Sequence, residues 1–146
     1  MGYKSVVVAD RIFAVRWDDP TSDDVDDVVG EIRRLNGLSN QAVIYLGIIP
    51  QGCSLPNDEA RASFNAHQEE MNALCASIHM VLLGTGLRFA AIRSSVAGML
   101  LFGGTRRMHV DSSIESALKK TDVDPRDHAQ ICTKIDSFLE ESSRSG

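Results

Sequence analysis

One apolar run, Ala42 to Ile49, constrains the fold of this chain more than any other feature. It reads Ala-Val-Ile-Tyr-Leu-Gly-Ile-Ile and carries no charged side chain. A nearly continuous apolar run of this length is typical of a strand that is covered on both faces. We therefore expect residues 42–49 to form a central strand of a sheet.

Two shorter β-type runs precede this strand. Ser5 to Ala9 and Ile12 to Trp17 flank a polar break at Asp10-Arg11, so an antiparallel hairpin is expected. In the second run Phe13, Val15 and Trp17 alternate with other residues, which predicts one clearly apolar face.

The hairpin is followed by a predicted amphipathic helix. Apolar residues recur at three- and four-residue spacing, namely Val25, Val28, Val29, Ile32 and Leu35. Thr21 can cap this helix, and Asp24 stands where the reciprocal residue of a capping box belongs. Gly37 is a candidate stop.

The rest of the chain continues to alternate between strand and helix. We predict a helix from about Asn57 to Ser77, a strand over Met80 to Leu83 and a helix over Leu87 to Phe102. A strand over Met108 to Val110 should follow, and then a helix over Ile114 to Lys120 that begins with a Ser112/Glu115 capping box. The final helix is expected over Pro125 to Leu139, capped by Asp124. Such alternation predicts parallel crossovers. The expected fold is one α/β domain over residues 1–146. It has a mixed sheet of about five strands in a core over 5–120, an extra C-terminal helix over 124–140, and a frayed tail over 141–146.

This order of elements resembles the STAS domain, which sulfate transporters share with anti-sigma factor antagonists, and more broadly the Sec14-like lipid-binding domains. Three segments carry the resemblance: the hairpin followed by Pro20-Thr21 and an acidic helix start, the buried strand Val43-Ile44-Tyr45-Leu46, and the strand and helix start over Met108 to Leu118. The resemblance implies a module that binds a partner and has no enzymatic site.

The phosphorylated turn of regulatory STAS domains is missing from this sequence. That turn reads D-S-[ST]-G, whereas the equivalent region here runs from Gly47 to Pro56, and Ser54 is its only hydroxyl. We therefore expect Ser54 not to be a regulatory phosphosite and the module to lack the usual phospho-switch.

Charge and cysteine content limit the remaining classes. The formal net charge is −5, which argues against broad nucleic-acid binding. The apolar stretch at Met1 to Val8 is too short for a signal peptide, and no stretch has the length of a membrane span. Three widely spaced cysteines, Cys53, Cys75 and Cys132, fit neither a disulfide framework nor a metal knuckle. A reduced, cytoplasmic protein is expected, and Cys75 and Cys132 are assigned to helical patterns as small core residues.

The turn Gly84-Thr85-Gly86, followed by Arg88, is a candidate anion site. A glycine turn that opens a helix points N–H groups at a nearby anion, and Arg88 could add a charged hydrogen bond. The alternative is a plain strand-to-helix turn, because the spacing matches neither G-x-G-x-x-G nor a P-loop.

The segment from Leu87 to Phe102 is the candidate partner surface. It is apolar around much of its predicted circumference, so a second subunit or the last helix should cover Ile92, Val96, Met99 and Leu100. A homodimer is the form of association that we expect.

The sequence predicts no catalytic residue, no metal and no cofactor. The histidines His67, His79, His109 and His128 lack metal-site spacing, and His67 and His109 are interpreted as packing residues. The acidic residues between Asp18 and Glu31 are interpreted as a solvated helix start. No G-x-S-x-G elbow is present. The preferred function is a non-enzymatic regulatory or protein-interaction module, and the alternative is a small-ligand or lipid-binding domain.

Overall fold

A computed structural model describes residues 2–38, 41–53, 57–84, 86, 90–91, 93–94 and 108–144. Its strands are β1 (Tyr3–Val8), β2 (Ile12–Trp17), β3 (Val43–Ile49), β4 (Cys75–Leu82) and β5 (Met108–Asp111). Its helices are α1 (Ser22–Leu38), α2 (Asp58–Leu74), α3 (Ile114–Leu118) and α4 (His128–Arg144), and a 3-10 turn over Pro125–Asp127 leads into α4. The predicted α/β class with a C-terminal helix is confirmed.

The five strands form one mixed sheet in the order β1-β2-β3-β4-β5. β1 pairs antiparallel with β2, and the other pairings are parallel. β3 lies in the middle, and all seven of its residues are buried. The run over residues 42–49 is therefore the central strand that its composition predicts.

Among the helices given above, two pack on each face of the sheet. Tyr45 and Ile49 of β3 join the core beneath α1 and α2, which we call the α1/α2 face. Ile44, Leu46 and Ile48 join the core beneath α3 and α4, which we call the α3/α4 face. Successive side chains of a strand point to opposite faces, so an apolar run without alternation is what a strand with two covered faces requires.

Local side-chain hydrogen bonds fix the starts of the helices. The Asp24 amide donates to Thr21 Oγ1 at 3.2 Å and the Thr21 amide donates to Asp24 Oδ2 at 3.1 Å, which confirms the predicted capping box of α1. Asn57 Oδ1 accepts from the amide of Ala60 at the start of α2. Asp124 accepts from the amide of Arg126 and is followed by proline, as predicted.

The predicted boundary between the second helix and the fourth strand is wrong. α2 ends at Leu74, and β4 already begins at Cys75, so Cys75 is a buried strand residue. Cys-Ala-Ser-Ile is compatible with either periodicity. Pairing decides the outcome, since Cys75 lies opposite Val43 and Ser77 lies opposite Ile44 at the start of the β3–β4 ladder.

Several other ends differ from their predicted positions. β1 begins two residues earlier than expected and ends at Val8. The N-cap of α3 is Ser113, whose hydroxyl accepts from the Ser116 amide, and not Ser112.

The predicted frayed tail is helical through Arg144. Ser142 is buried, and its carbonyl oxygen accepts a 3.1 Å hydrogen bond from Lys4 Nζ of β1. This tertiary contact holds the last turns of α4 against the sheet. None of the helices in the described ranges has the length and hydropathy that crossing a bilayer demands.

Candidate functional site

Most of the sequence-predicted site residues fall outside the described residues. Ile92, Val96, Met99 and Leu100, the candidate partner surface, are not among them, and neither are Thr85 and Arg88 of the candidate anion turn. Gly84 is buried. Gly86 is exposed, has a φ of +97° and accepts a 2.9 Å hydrogen bond from the Ala90 amide.

A buried polar cluster lies where β4 and β5 meet α3. Ser77 and His79 are two residues apart on β4, so their side chains share one face of the sheet. Parallel pairing sets Val81 opposite Asp111, and Val81 belongs to the core of the α3/α4 face. Asp111 therefore reaches the same face as His79. We call Ser77, His79, Asp111, Ser116 and Lys120 the His79 cluster.

The His79 ring is fully buried and bonded through both nitrogens. Its Nδ1 lies 3.2 Å from Asp111 Oδ2, and its Nε2 lies 2.9 Å from Ser77 Oγ. An ionised carboxylate only accepts hydrogen bonds, so Nδ1 carries the proton. In the neutral ring Nε2 is then an acceptor, and the Ser77 hydroxyl donates to it.

The other carboxylate oxygen of Asp111, Oδ1, contacts Ser116 of α3 and Lys120, which follows α3. Lys120 Nζ lies 2.6 Å from Asp111 Oδ1, and Ser116 Oγ donates to the same oxygen at 3.3 Å. Burial by itself raises the pKa of Asp111, but the hydrogen bonds and charges of Lys120 and His79 outweigh it and leave that pKa below its ordinary value.

Burial moves the pKa of His79 below its ordinary value. Asp111 opposes this effect, whereas electrostatic interactions with His109 and Lys120 reinforce it. The His109 ring stacks on His79 with 5.0 Å between ring centroids and 20° between planes. The sequence predicts a packing role for His109, and in the structure its ring packs against the ring of His79.

The connectivity of Ser77, His79 and Asp111 is that of a hydrolytic triad, but its placement is not. A nucleophilic serine must contact its substrate, and Ser77 is only 8% exposed while His79 has no exposed surface. The His79 cluster connects β4, β5 and α3 through a chain of hydrogen bonds.

A second polar cluster joins α1 to α2 at the surface. Asp26 Oδ1 lies 2.8 Å from His67 Nε2 and accepts from Ser63 Oγ at 2.8 Å. Arg33 makes two 2.8 Å bonds to the carboxylate of Glu70. His67 is therefore a surface partner of a carboxylate and not the packing residue expected, and the hydrogen bonds from His67 and Ser63 lower the pKa of Asp26.

An open groove of about 700 Å³ lies between α3 and α4. Its lining residues are Glu115, Lys119, Thr121, Asp122, Val123, Pro125, His128, Ala129 and Cys132. Its walls combine charged side chains, such as Glu115 and Lys119, with apolar ones, such as Val123 and Cys132. Within the described ranges no three His, Cys, Asp or Glu side chains come together as ligands of a metal ion.

The molecule so described is an α/β domain with a five-stranded mixed sheet and a buried histidine–aspartate pair. Comparison with protein families, with curated proteins and with solved structures finds no match. Any statement about function therefore depends on the geometry itself.

Neither Asp111 nor His79 is among the site residues that the sequence predicts. Two signals were present: a histidine inside an otherwise apolar strand, and an aspartate at the end of the next strand. Their contact depends on the β4–β5 register across 32 residues of chain, which spacing alone does not provide.

Proposed function

We propose that this chain is a non-enzymatic, STAS-like protein-interaction module that associates with a second copy of itself through the outer edge of β1. The observation that carries this proposal is the exposure of β1. Among the strands that the structure describes, β1 pairs with β2 alone and stands at the edge of the sheet, and its Val7 is 41% exposed.

An edge strand of this kind favours protein partners. The outer edge of such a strand can add a strand from another chain. The strand reads Tyr-Lys-Ser-Val-Val-Val, so three β-branched residues follow one another.

Identical strands can satisfy each other through a two-fold axis, with each β1 running antiparallel to its copy. Lys4 is the only charged residue of β1, and its ammonium group is directed to the Ser142 carbonyl. Two facing copies therefore bring little like-charge repulsion.

The non-enzymatic part of the proposal is supported by the His79 cluster. The serine that is bonded to His79, Ser77, donates its hydroxyl proton to the ring and is almost fully buried. With these contacts Ser77 stabilises the fold and is not placed to attack a substrate.

Sedimentation of the full chain tests association. We expect a species near twice 15.9 kDa at micromolar concentration and a weaker dimer in Val7→Lys, because lysine at an edge opposes strand addition. Leu38→Lys is the matched control, since Leu38 is a 73% exposed aliphatic residue away from β1. A monomer at all concentrations, or equal loss in both variants, would contradict the β1 interface.

A fluorophosphonate probe tests the absence of enzymatic activity. We expect no labelling of Ser77 in the folded protein, because this residue is buried. Labelling of Ser77 that disappears in His79→Gln would show an activated serine and would overturn the non-enzymatic assignment.

The groove between α3 and α4 favours a second candidate function, the binding of a small ligand. Its volume of about 700 Å³ suits a small molecule, and its walls offer both apolar and charged contacts to a ligand. A fragment library titrated against isotope-labelled protein tests this. Shifts that cluster on Thr121, Ala129 and Cys132 would support the groove as a binding site.

A further inference from the structure

We propose that the His79–Asp111 pair is a pH-sensitive joint: protonation of His79 in mildly acidic solution loosens β5 and α3 from β4. The joint lies at the opposite end of the described sheet from β1. Its test is therefore independent of self-association.

The hydrogen bonds of the joint suit only a neutral ring. The Ser77 hydroxyl donates to Nε2, and the Asp111 carboxylate accepts from Nδ1. A second ring proton would fall on Nε2, so the Ser77 hydroxyl would have to turn away and become an acceptor. This rearrangement takes place where His79 has no contact with solvent.

The carboxylate of Asp111 favours a second proton on His79, but Lys120 already shares it. Asp111 is already paired with Lys120 at 2.6 Å, so an imidazolium would place two cations on one buried carboxylate. His109 stacks on the same ring at 5.0 Å.

The groups that face His79 come from every neighbouring element of the described chain. β5 contributes Asp111 and His109, and Lys120, just after the end of α3, contributes a cation. On β3 the residue opposite His79 is the apolar Leu46. Asp111 is the one anion among these groups, and Lys120 shares it.

The direction of the pH effect follows from proton linkage. Burial, reinforced by electrostatic interactions with His109 and Lys120, lowers the pKa of His79 in the folded protein, so the folded state binds fewer protons than the open state. The joint is therefore complete above the ordinary histidine pKa of about 6.5 and weakens as the pH falls below it. The lowered pKa of Asp111 acts in a separate window, below about pH 4.

Amide hydrogen exchange of β5 and α3, corrected for intrinsic rates, measures the opening of the joint between pH 7 and pH 5. One titrating group can increase the opening equilibrium by up to about tenfold per pH unit. We expect an increase of this kind in the wild-type chain and a flat profile in His79→Gln. His128→Gln, at a histidine of α4 that bonds to the Val123 carbonyl, is the control and should keep the wild-type profile.

Two further measurements keep the proposal testable if His79→Gln does not fold. The ring nitrogens of His79 in the wild-type protein should show a neutral Nδ1–H tautomer at pH 7. Lys120→Met, at a half-exposed side chain, should flatten the pH profile, because Asp111 would then be free to neutralise an imidazolium. An imidazolium at pH 7, or an unchanged pH profile in both His79→Gln and Lys120→Met, would overturn the proposal.

Discussion

The indole Nε1 of Trp17 donates a 2.9 Å hydrogen bond to the hydroxyl of Tyr45, and both side chains are almost completely buried on the α1/α2 face. Trp17 is on β2 and Tyr45 is on the adjacent β3. A buried indole needs an acceptor, and here the central strand supplies it.

Replacement of the Tyr45 hydroxyl should therefore be costly. We expect Tyr45→Phe to lower the free energy of unfolding by about 1–3 kcal/mol, because the Trp17 N–H is left buried without its acceptor. Urea unfolding measures the effect. A double-mutant cycle with Trp17→Phe isolates the hydrogen bond, and additive losses in that cycle would show that the two groups are not coupled.

Gly47 provides the space that the Tyr45 hydroxyl occupies. A Cβ at position 47 would lie 2.6 Å from that oxygen and 2.8 Å from Met80 Sδ. We expect Gly47→Ala to destabilise the protein by about 1–3 kcal/mol through overpacking. Thermal unfolding provides the measurement.

Gly30→Ala is the matched control for Gly47→Ala. Position 30 lies inside α1 with nothing within 4 Å of an added Cβ, so alanine should stabilise the helix there by about 0.5–1 kcal/mol. The double variant Gly47→Ala/Tyr45→Phe should lose less than the sum of its single changes. Equal destabilisation by alanine at positions 30 and 47 would contradict the crowding argument.

The capping box of α1 should contribute measurably to stability. Asp24 is buried and accepts hydrogen bonds from both the amide and the hydroxyl of Thr21. Asp24→Ala should lower the free energy of unfolding by about 1–2 kcal/mol. Asp27→Ala, at an exposed position on the same helix, should change it by less than about 0.5 kcal/mol. A similar loss in both variants would show that general helix charge, and not the cap, is responsible.

The three cysteine thiols should differ in their reactivity towards iodoacetamide. Burial is the main reason that the pKa of Cys53 and that of Cys75 are raised to about 12, whereas Cys132 is only partly buried. Because the thiolate is the reactive form, we expect Cys132 to be alkylated first at pH 8 and the other two at least about tenfold more slowly. Mass spectrometry of native and denatured samples measures the order. Faster labelling of Cys53 or Cys75 in the native sample would contradict the buried positions of these thiols.

Features that depend on neighbouring residues in the chain could be predicted from the sequence. The uninterrupted apolar run of β3, the Thr21/Asp24 capping box and the Asp124-Pro125 helix start all lie where their patterns place them. Periodicity and capping act over a few residues, so the local sequence contains the information that they need.

Features that depend on strand register were decided only by the tertiary structure. β4 begins at Cys75 because that residue finds a partner in Val43, although its local pattern also suits a helix. His79 meets Asp111, and Tyr45 meets Trp17, through pairings between strands that are distant in sequence. The end of α4 is ordered through Lys4, 138 residues away. Register is fixed by the simultaneous burial of both faces of the sheet, which no single segment of the sequence specifies.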